Sequence, residues 1–193
     1  DDDDHCETPE NAYEDIKKCL DVLSFQRYGA DDSSSSSETN CANDDVCTAD
    51  IGNNVLKIYD PYYCQGSMVK RLGKAGFHNV YNEKEDFYQK IRSKTMPPHD
   101  VLLTNPPYSA SHVSRLLSYV KSSEKPFMLL LPNYVYMKDY YNILDDDYMF
   151  YVVPNKRYLY TTPNVRYEWN SIILYIVTYS VLYIMYYILY IAL

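Results

Sequence analysis

Apolar positions along the chain fall into two rhythms, one helical and one of short unbroken runs. Ala12, Ile16, Leu20 and Leu23, with Cys19 beside them, recur at helical spacing and predict a helix to about Phe25. Glu7-Thr8-Pro9-Glu10 marks its start: Thr8 suits the N-cap, Pro9 the first helical position, and Glu10 the positive end of the dipole. From Gly29 to Asn54 the pattern lapses into polar sequence with a serine run, Ser33–Ser37, which reads as a surface loop or linker. The runs then begin. Val55–Asp60 predicts a buried strand ending in an acid, and Gly66–Gly76 a helix with Met68, Val69, Leu72 and Ala75 apolar and Gly76 as its stop. Asn79–Asn82 predicts a short strand, Glu83–Arg92 a helix, Val101–Thr104 a strand, His112–Val120 a helix and Phe127–Pro132 a strand. A helix near Tyr134–Leu144 and a hairpin of Tyr148–Val153 with Arg157–Tyr160 complete the pattern.

Nearly all-apolar strands alternating with helices predict an α/β fold, a parallel sheet with helices on both faces. Ligands in such sheets sit beyond the carboxyl ends of the strands, near the point where strand order reverses. The two unusual sequences of the chain, after Tyr59 and after Thr104, both fall at predicted strand carboxyl ends.

Composition changes the picture in three places. The length, 193 residues, suits one domain with a core, and a first residue of Asp1 rather than Met points to a fragment or a processed form. The net charge of −8 is unevenly spread: residues 1–50 carry 15 acidic and 3 basic side chains, residues 51–170 carry 11 and 15, and the rest none. The overall acidity therefore does not exclude nucleic acid as a partner of the later, mildly basic segment. Five scattered cysteines without a CxxC pair read as reduced thiols of an intracellular protein, cytoplasmic or nuclear, and no common metal-ligand spacing is present.

The ending is distinct. Residues 171–193 are uncharged and rich in Ile, Leu, Val and Tyr, about the 20 apolar residues that cross a bilayer, so the tail is a candidate transmembrane helix. Lys156, Arg157 and Arg166 on its amino side would keep the preceding domain in the cytoplasm. The alternatives are a buried β element or translated intron, since Val165-Arg166 can be written as a splice donor. The expected organisation is thus a disordered acidic start at 1–4, a helix at 5–28 packed on the main domain, a linker at 29–54, the domain at 55–163 and the tail at 164–193.

The chemistry concentrates at Asn105-Pro106-Pro107-Tyr108. Transferring a methyl group to an exocyclic amino nitrogen requires acceptors that hold the NH2 group and aim it. An Asn side chain and a prolyl carbonyl are such acceptors; Pro-Pro stiffens the loop, and a following aromatic can stack on a flipped base. Asp60, with Gly66 at a helix start, is the natural place for close approach of a ligand to backbone. Taken singly, Asp60 reads more often as a strand-end cap or ion-pair residue than as a ligand contact, Thr8-Pro9 equally as helix capping, Asp86 as a solvated charge, and His112 equally as a site-lining or a plain helix residue.

In this order the motifs resemble the N6-adenine-type, S-adenosylmethionine-dependent amino-methyltransferases. Leu102–Tyr108 is similar to the family's catalytic signature, and Asp60-Pro61-Tyr62-Tyr63-Cys64-Gln65-Gly66-Ser67 to its cofactor loop. Thr8-Pro9 resembles the Thr-Pro motif at the cofactor's methionine portion, and Asp86-Phe87 the pair near its adenine. The resemblance runs from about His5 to Pro163 and includes an uncharacterised eukaryotic subgroup. It implies a Rossmann-like class I methyltransferase sheet, S-adenosyl-L-methionine as cofactor, catalytic Asn105, Pro106, Pro107 and Tyr108, and cofactor contacts at Thr8, Pro9, Asp60, Tyr62, Gly66, Asp86 and Phe87.

Three departures qualify it. Cys64 stands where the loop usually has its first glycine, which requires a negative φ there or strain. Asn82 or Glu83 must stand in for the ribose-binding acid, and the family's last strand is replaced by the tail. The expected function is methylation of an exocyclic amino group, adenine N6 in nucleic acid first. The lack of a long insertion favours RNA over DNA. The same signature serves the glutamine side-chain nitrogen of proteins, and a truncated, non-catalytic and membrane-anchored methyltransferase-like protein is the alternative of another class.

Overall fold

The computed structural model describes residues 7–29, 55–108, 111–144, 149, 151–156, 158–161 and 166–168. The acidic start, most of the linker, the join at Val165 and the candidate membrane helix at 171–193 lie outside them, as do the cysteines other than Cys19 and Cys64. Among the described residues no helix is long and apolar enough to cross a membrane.

The chain forms α1 (Glu10–Tyr28), β1 (Ile58–Tyr59), α2 (Ser67–Lys74), β2 (Val80–Tyr81), α3 (Phe87–Ser93), β3 (Val101–Thr104), α4 (His112–Ser123) and β4 (Phe127–Leu129). The four strands make one sheet in the order β2-β1-β3-β4, every pair parallel, with Ile58 opposite Val80 and Val101, and Leu102 opposite Phe127. The fold is therefore α/β. The strands are shorter than the apolar runs, yet ladder bonds extend past their ends, as from Asp60 N to Tyr81 O at 3.0 Å and Leu130 N to Thr104 O at 2.9 Å.

Alternation along the strands divides the core in two. Ile58, Val101, Leu103 and Met128 face α1 and α2, meeting Ile16, Leu20, Met68 and Leu72. Tyr59, Leu102, Phe127 and Leu129 face α3 and α4, meeting Phe87, Val113, Leu116 and Leu117. Burial on both faces is what the unbroken apolar runs require. The chain moves outward from β1 to β2 through α2 on one face. It then returns across β1 to β3 through α3 on the other, so strand order reverses between β1 and β3.

Several expected elements are corrected. Pro9, not Thr8, is the N-cap of α1, and the helix begins at Glu10. The third helix begins at Phe87 rather than Glu83, because Asp86 accepts a bond from Gln89 N at 3.0 Å and caps it there. The region near Tyr134–Leu144 is two 3-10 segments, Asn133–Met137 and Asp139–Ile143, broken at extended Lys138. Its repeating bonds span three residues, from Val135 N to Pro132 O through Leu144 N to Tyr141 O, and its tyrosines are weak helix formers. No strand forms at the described residues 151–153, where Pro154 follows and cannot donate to a ladder. Instead β5 (Leu159–Thr161) pairs antiparallel with β6 (Arg166–Glu168), apart from the main sheet.

Candidate functional site

Because strand order reverses between β1 and β3, the loops leaving their carboxyl ends diverge to opposite faces and leave a crevice between them. Asp60 follows β1 and Asn105 follows β3. Both line one cleft, together with Glu7, Thr8, Tyr13, Tyr62, Cys64, Gly66, Ser67, Met68 and Asn82. The two turns that carry the motifs converge.

The loop from Asp60 to Gly66 is fixed by its own bonds. Asp60 Oδ1 accepts from Tyr62 N at 3.0 Å and from Thr104 Oγ1 at 2.5 Å, so the residue before Asn105 is tied directly to the acid after β1. Asn82 Nδ2 donates to the Asp60 carbonyl at 3.3 Å, closing the β2 side. Gly66 has φ 73°, the left-handed conformation from which α2 starts, and a Cβ there would lie 2.9 Å from Tyr63 Oη. Cys64 causes no such strain, since the only described non-glycine residues with positive φ are Lys94 and Glu124.

The amino-terminal segment closes another wall. Glu7 Oε1 accepts from Gln65 N at 3.0 Å, its other oxygen pairs with Arg71 at 3.2 Å, and Arg71 also donates to the Thr8 carbonyl. Thr8 is thereby a cleft residue and not a cap; Pro9 takes the cap and does not line the cleft.

Asp60 is 7% exposed and, among the described residues, makes no ion pair. Burial pushes its carboxyl up to about 7, and the nearby charge of Glu7 adds to this, while the bonds from Thr104 and Tyr62 oppose it. The phenols of Tyr13 and Tyr62 are held far above their ordinary range, chiefly by burial.

At the opposite end, Tyr108 Oη lies 2.5 Å from Asn105 Oδ1 and 3.3 Å from the Leu130 carbonyl. A carbonyl oxygen accepts twice, so Asn105 retains one acceptor position alongside this bond. Pro106 is buried and Pro107 half-buried. Beside them runs a chain the sequence did not disclose: Tyr62 Oη to Tyr88 Oη at 2.9 Å, Tyr88 Oη to His112 Nδ1 at 3.0 Å, and Arg115 stacked 3.3 Å over the Tyr88 ring. It joins the loop after β1 to the first residue of α4.

Two expected contacts fall elsewhere. Asp86 is exposed and spent on capping α3, and Phe87 is 3% exposed inside the second core, its ring edge-on to Tyr62 at 5.6 Å. Neither lines the cleft. Glu7, Tyr13, Thr104 and Arg71 are not singled out by the sequence, and of these Glu7, adjoining Thr8, and Thr104, adjoining Asn105, have a local signal. Of the two residues expected to replace a ribose acid, Asn82 lines the cleft and Glu83 is exposed.

The cleft is narrow, a cavity of ≈ 30 Å³, which holds about two waters. A roomier hollow, ≈ 450 Å³, lies against Leu23, Arg27, His99, Asp100 and Lys125, at the amino ends of β3 and β4. Arg27 pairs with Asp100 at 3.2 Å and Lys125 Nζ donates to the His99 carbonyl at 2.9 Å, while Glu124 also lines the hollow and the buried His99 Nε2 has no partner among the described residues. The carboxyl-end cleft, small as it is, has the unpaired acid and the open acceptor, and is the better candidate. Among the described residues no cluster of His, Cys, Asp and Glu could hold a metal.

No protein-family model, no curated protein and no solved structure matches the chain.

Proposed function

We propose that the chain is a Rossmann-like, S-adenosyl-L-methionine-dependent methyltransferase of an exocyclic amino group, adenine N6 in nucleic acid first and RNA before DNA. The observation that carries the reading is the meeting of Asp60 and Asn105 in one cleft at the strand-order reversal, with Thr8 and Gly66 in its walls. The donor set fits the cofactor: an unpaired carboxylate suits a cation, and glycine at the start of α2 allows backbone to approach it.

The cofactor would supply an electrophilic methyl group. This chain's share is positional. Asn105 Oδ1 and the Pro106 carbonyl accept from the two N–H bonds of the amino group, holding its nitrogen toward the Asp60–Gly66 loop. Tyr108 stacks on the base after releasing Asn105. The methylated nitrogen loses its extra proton to solvent without a dedicated base.

The narrowness of the cleft favours a second reading, a methyltransferase-like module without catalysis, which for full entry would need Tyr108 and the loop side chains to move. Titration calorimetry with S-adenosyl-L-methionine, followed by transfer of label from the cofactor to RNA, DNA and protein pools, separates the two. A dissociation constant far above millimolar eliminates the enzyme; label appearing only in protein transfers the substrate to a glutamine side chain.

A further inference from the structure

We propose that the hollow at the amino ends of β3 and β4 binds a small phosphate ester, its phosphoryl group held by Arg27 and Lys125 and its hydroxylated body lying against Leu23, Pro126 and Glu124. The inference is independent of the cofactor cleft, which opens at the other ends of the strands. At ≈ 450 Å³ the hollow has the volume of a small-molecule site, where the cleft has ≈ 30 Å³. Three parts of the chain build it. The end of α1 brings Leu23 and Arg27, the approach to β3 brings Asp100, and the turn from α4 into β4 brings Glu124, Lys125 and Pro126.

The charges select the ligand. Asp100 is closed to it: its side chain is 8% exposed, one oxygen accepts from Tyr28 Oη at 2.7 Å and Lys57 N at 2.8 Å, and the other pairs with Arg27 Nε at 3.2 Å. Arg27 gives that bond from Nε and shares another with the Tyr28 phenol, so part of its five-donor fork stays uncommitted. Its side chain is 66% exposed, so the fork can turn toward an anion. Lys125 Nζ meets the neutral His99 carbonyl at 2.9 Å and has no carboxylate partner among the described residues. Because His99 and Asp100 are consecutive, both cations are moored to one wall. The carboxyl ends of α1 and α4 open nearby and favour cations, but Arg27 and Lys121 in their last turns and Lys57 before β1 offset them. A phosphoryl group fits this pair, with the planar fork and the ammonium sharing its oxygens. Glu124, exposed and without a partner among the described residues, repels a second anionic group and accepts from hydroxyls, while Leu23 and Pro126 give apolar walls. A monoester therefore suits the hollow better than a bisphosphate. Buried in the same wall, His99 donates from Nδ1 to the Pro97 carbonyl at 2.8 Å, and its ring reports on what the hollow holds.

The test is titration of the full chain with ribose 5-phosphate, inorganic phosphate and ribose, followed by calorimetry and by the amide and His99 ring resonances. Ribose 5-phosphate should bind with a dissociation constant of about a millimolar or below, inorganic phosphate about three- to tenfold more weakly, and ribose not at all up to ~20 mM. The resonances that move should be those of Arg27, His99, Glu124 and Lys125, while those of Asp60 and Asn105 stay in place. Raising salt from about 0.05 to about 0.3 M should weaken binding severalfold. Arg27→Gln and Lys125→Gln should each lower affinity about tenfold, and Arg27→Lys, which keeps the charge without the fork, by less. The wild-type titrations stand even where a variant misfolds. Failure of the ester to bind, equal binding of ribose, or shifts confined to the carboxyl-end cleft overturns the inference. An oligoribonucleotide without a terminal phosphate that moves these resonances where the free ester does not also overturns it. None of these results decides the cofactor reading, which titration with S-adenosyl-L-methionine tests separately.

Discussion

Replacing Asp60 by Asn should make the protein more stable at neutral pH while impairing its site. In the fold the carboxyl is raised from 3.8 to about 7, first by burial and then by the charge of Glu7. The folded state thus holds a proton that the unfolded chain has lost between those values. A raised acid contributes stability that is complete below 3.8, declines as pH rises through the window and is gone above about 7. About three units at 1.36 kcal/mol each set a ceiling of ~4 kcal/mol on the cost of the ionised group. The amide has no such window and can keep the bonds from Thr104 and Tyr62. Urea midpoints of both proteins should therefore separate from pH 4.5 to about 7 and then stay apart to pH 8, the variant gaining up to ~3 kcal/mol over the wild type across that range. Buried His99, lowered by desolvation, acts the opposite way: it contributes stability above pH 6.5 that is lost on acidification. It is common to both proteins and cancels in the difference. A separation that stays flat, or a wild type more stable at pH 8, would show that Asp60 ionises in the cleft without penalty.

Other changes test the walls of the cleft. Gly66→Ala forces a Cβ into the left-handed region and against Tyr63, and should cost about 1–2 kcal/mol in urea unfolding. Arg71→Ala removes the ion pair to Glu7 and the bond to Thr8; it should speed proteolysis ahead of α1 and weaken cofactor binding about tenfold in calorimetry. On the proposed function, in which Asn105 serves the acceptor end, Asn105→Ala should lower label transfer at least about a hundredfold with cofactor affinity nearly unchanged; joint loss of both would signal unfolding. Tyr88→Phe deletes the hydroxyl between Tyr62 and His112 and should cost about 1 kcal/mol in urea unfolding.

The parts of this site that were legible in sequence are those where a local pattern and the topology rule point the same way. Ile58-Tyr59-Asp60 and Val101–Asn105 are apolar runs ending abruptly in polar residues, and a parallel sheet forces such endings to one edge. Thr8 lines the cleft, while the capping that its local sequence suggests belongs to Pro9. Asp86-Phe87 is less legible, because a capping acid followed by a core aromatic has the same local appearance as a ligand contact. The partners that build the walls could not be read at all. Arg71 reaches Thr8 across 63 positions and Gln65 reaches Glu7 across 58, and no local spacing encodes a contact that exists only after α1 packs on α2.

The same packing explains why a destabilising acid is tolerated in this place. Thr104 binds the carboxyl of Asp60 and is itself the last residue of β3, so the bond that steadies the acid also fixes where Asn105 begins. A neutral residue at 60 that could not accept from Thr104 would loosen both loops together. The proposed function therefore puts two demands on one side chain: an acceptor that ties the strand ends, and a charge for a cationic ligand. Asn satisfies the first without the second, and Ala satisfies neither. If both roles are real, Asp60→Ala should show raised mobility of the Asn105 loop by hydrogen exchange, while Asp60→Asn leaves exchange there no faster than wild type and loses cofactor affinity. Equal exchange in the two variants would separate Asp60 from the acceptor loop and confine it to the cofactor side.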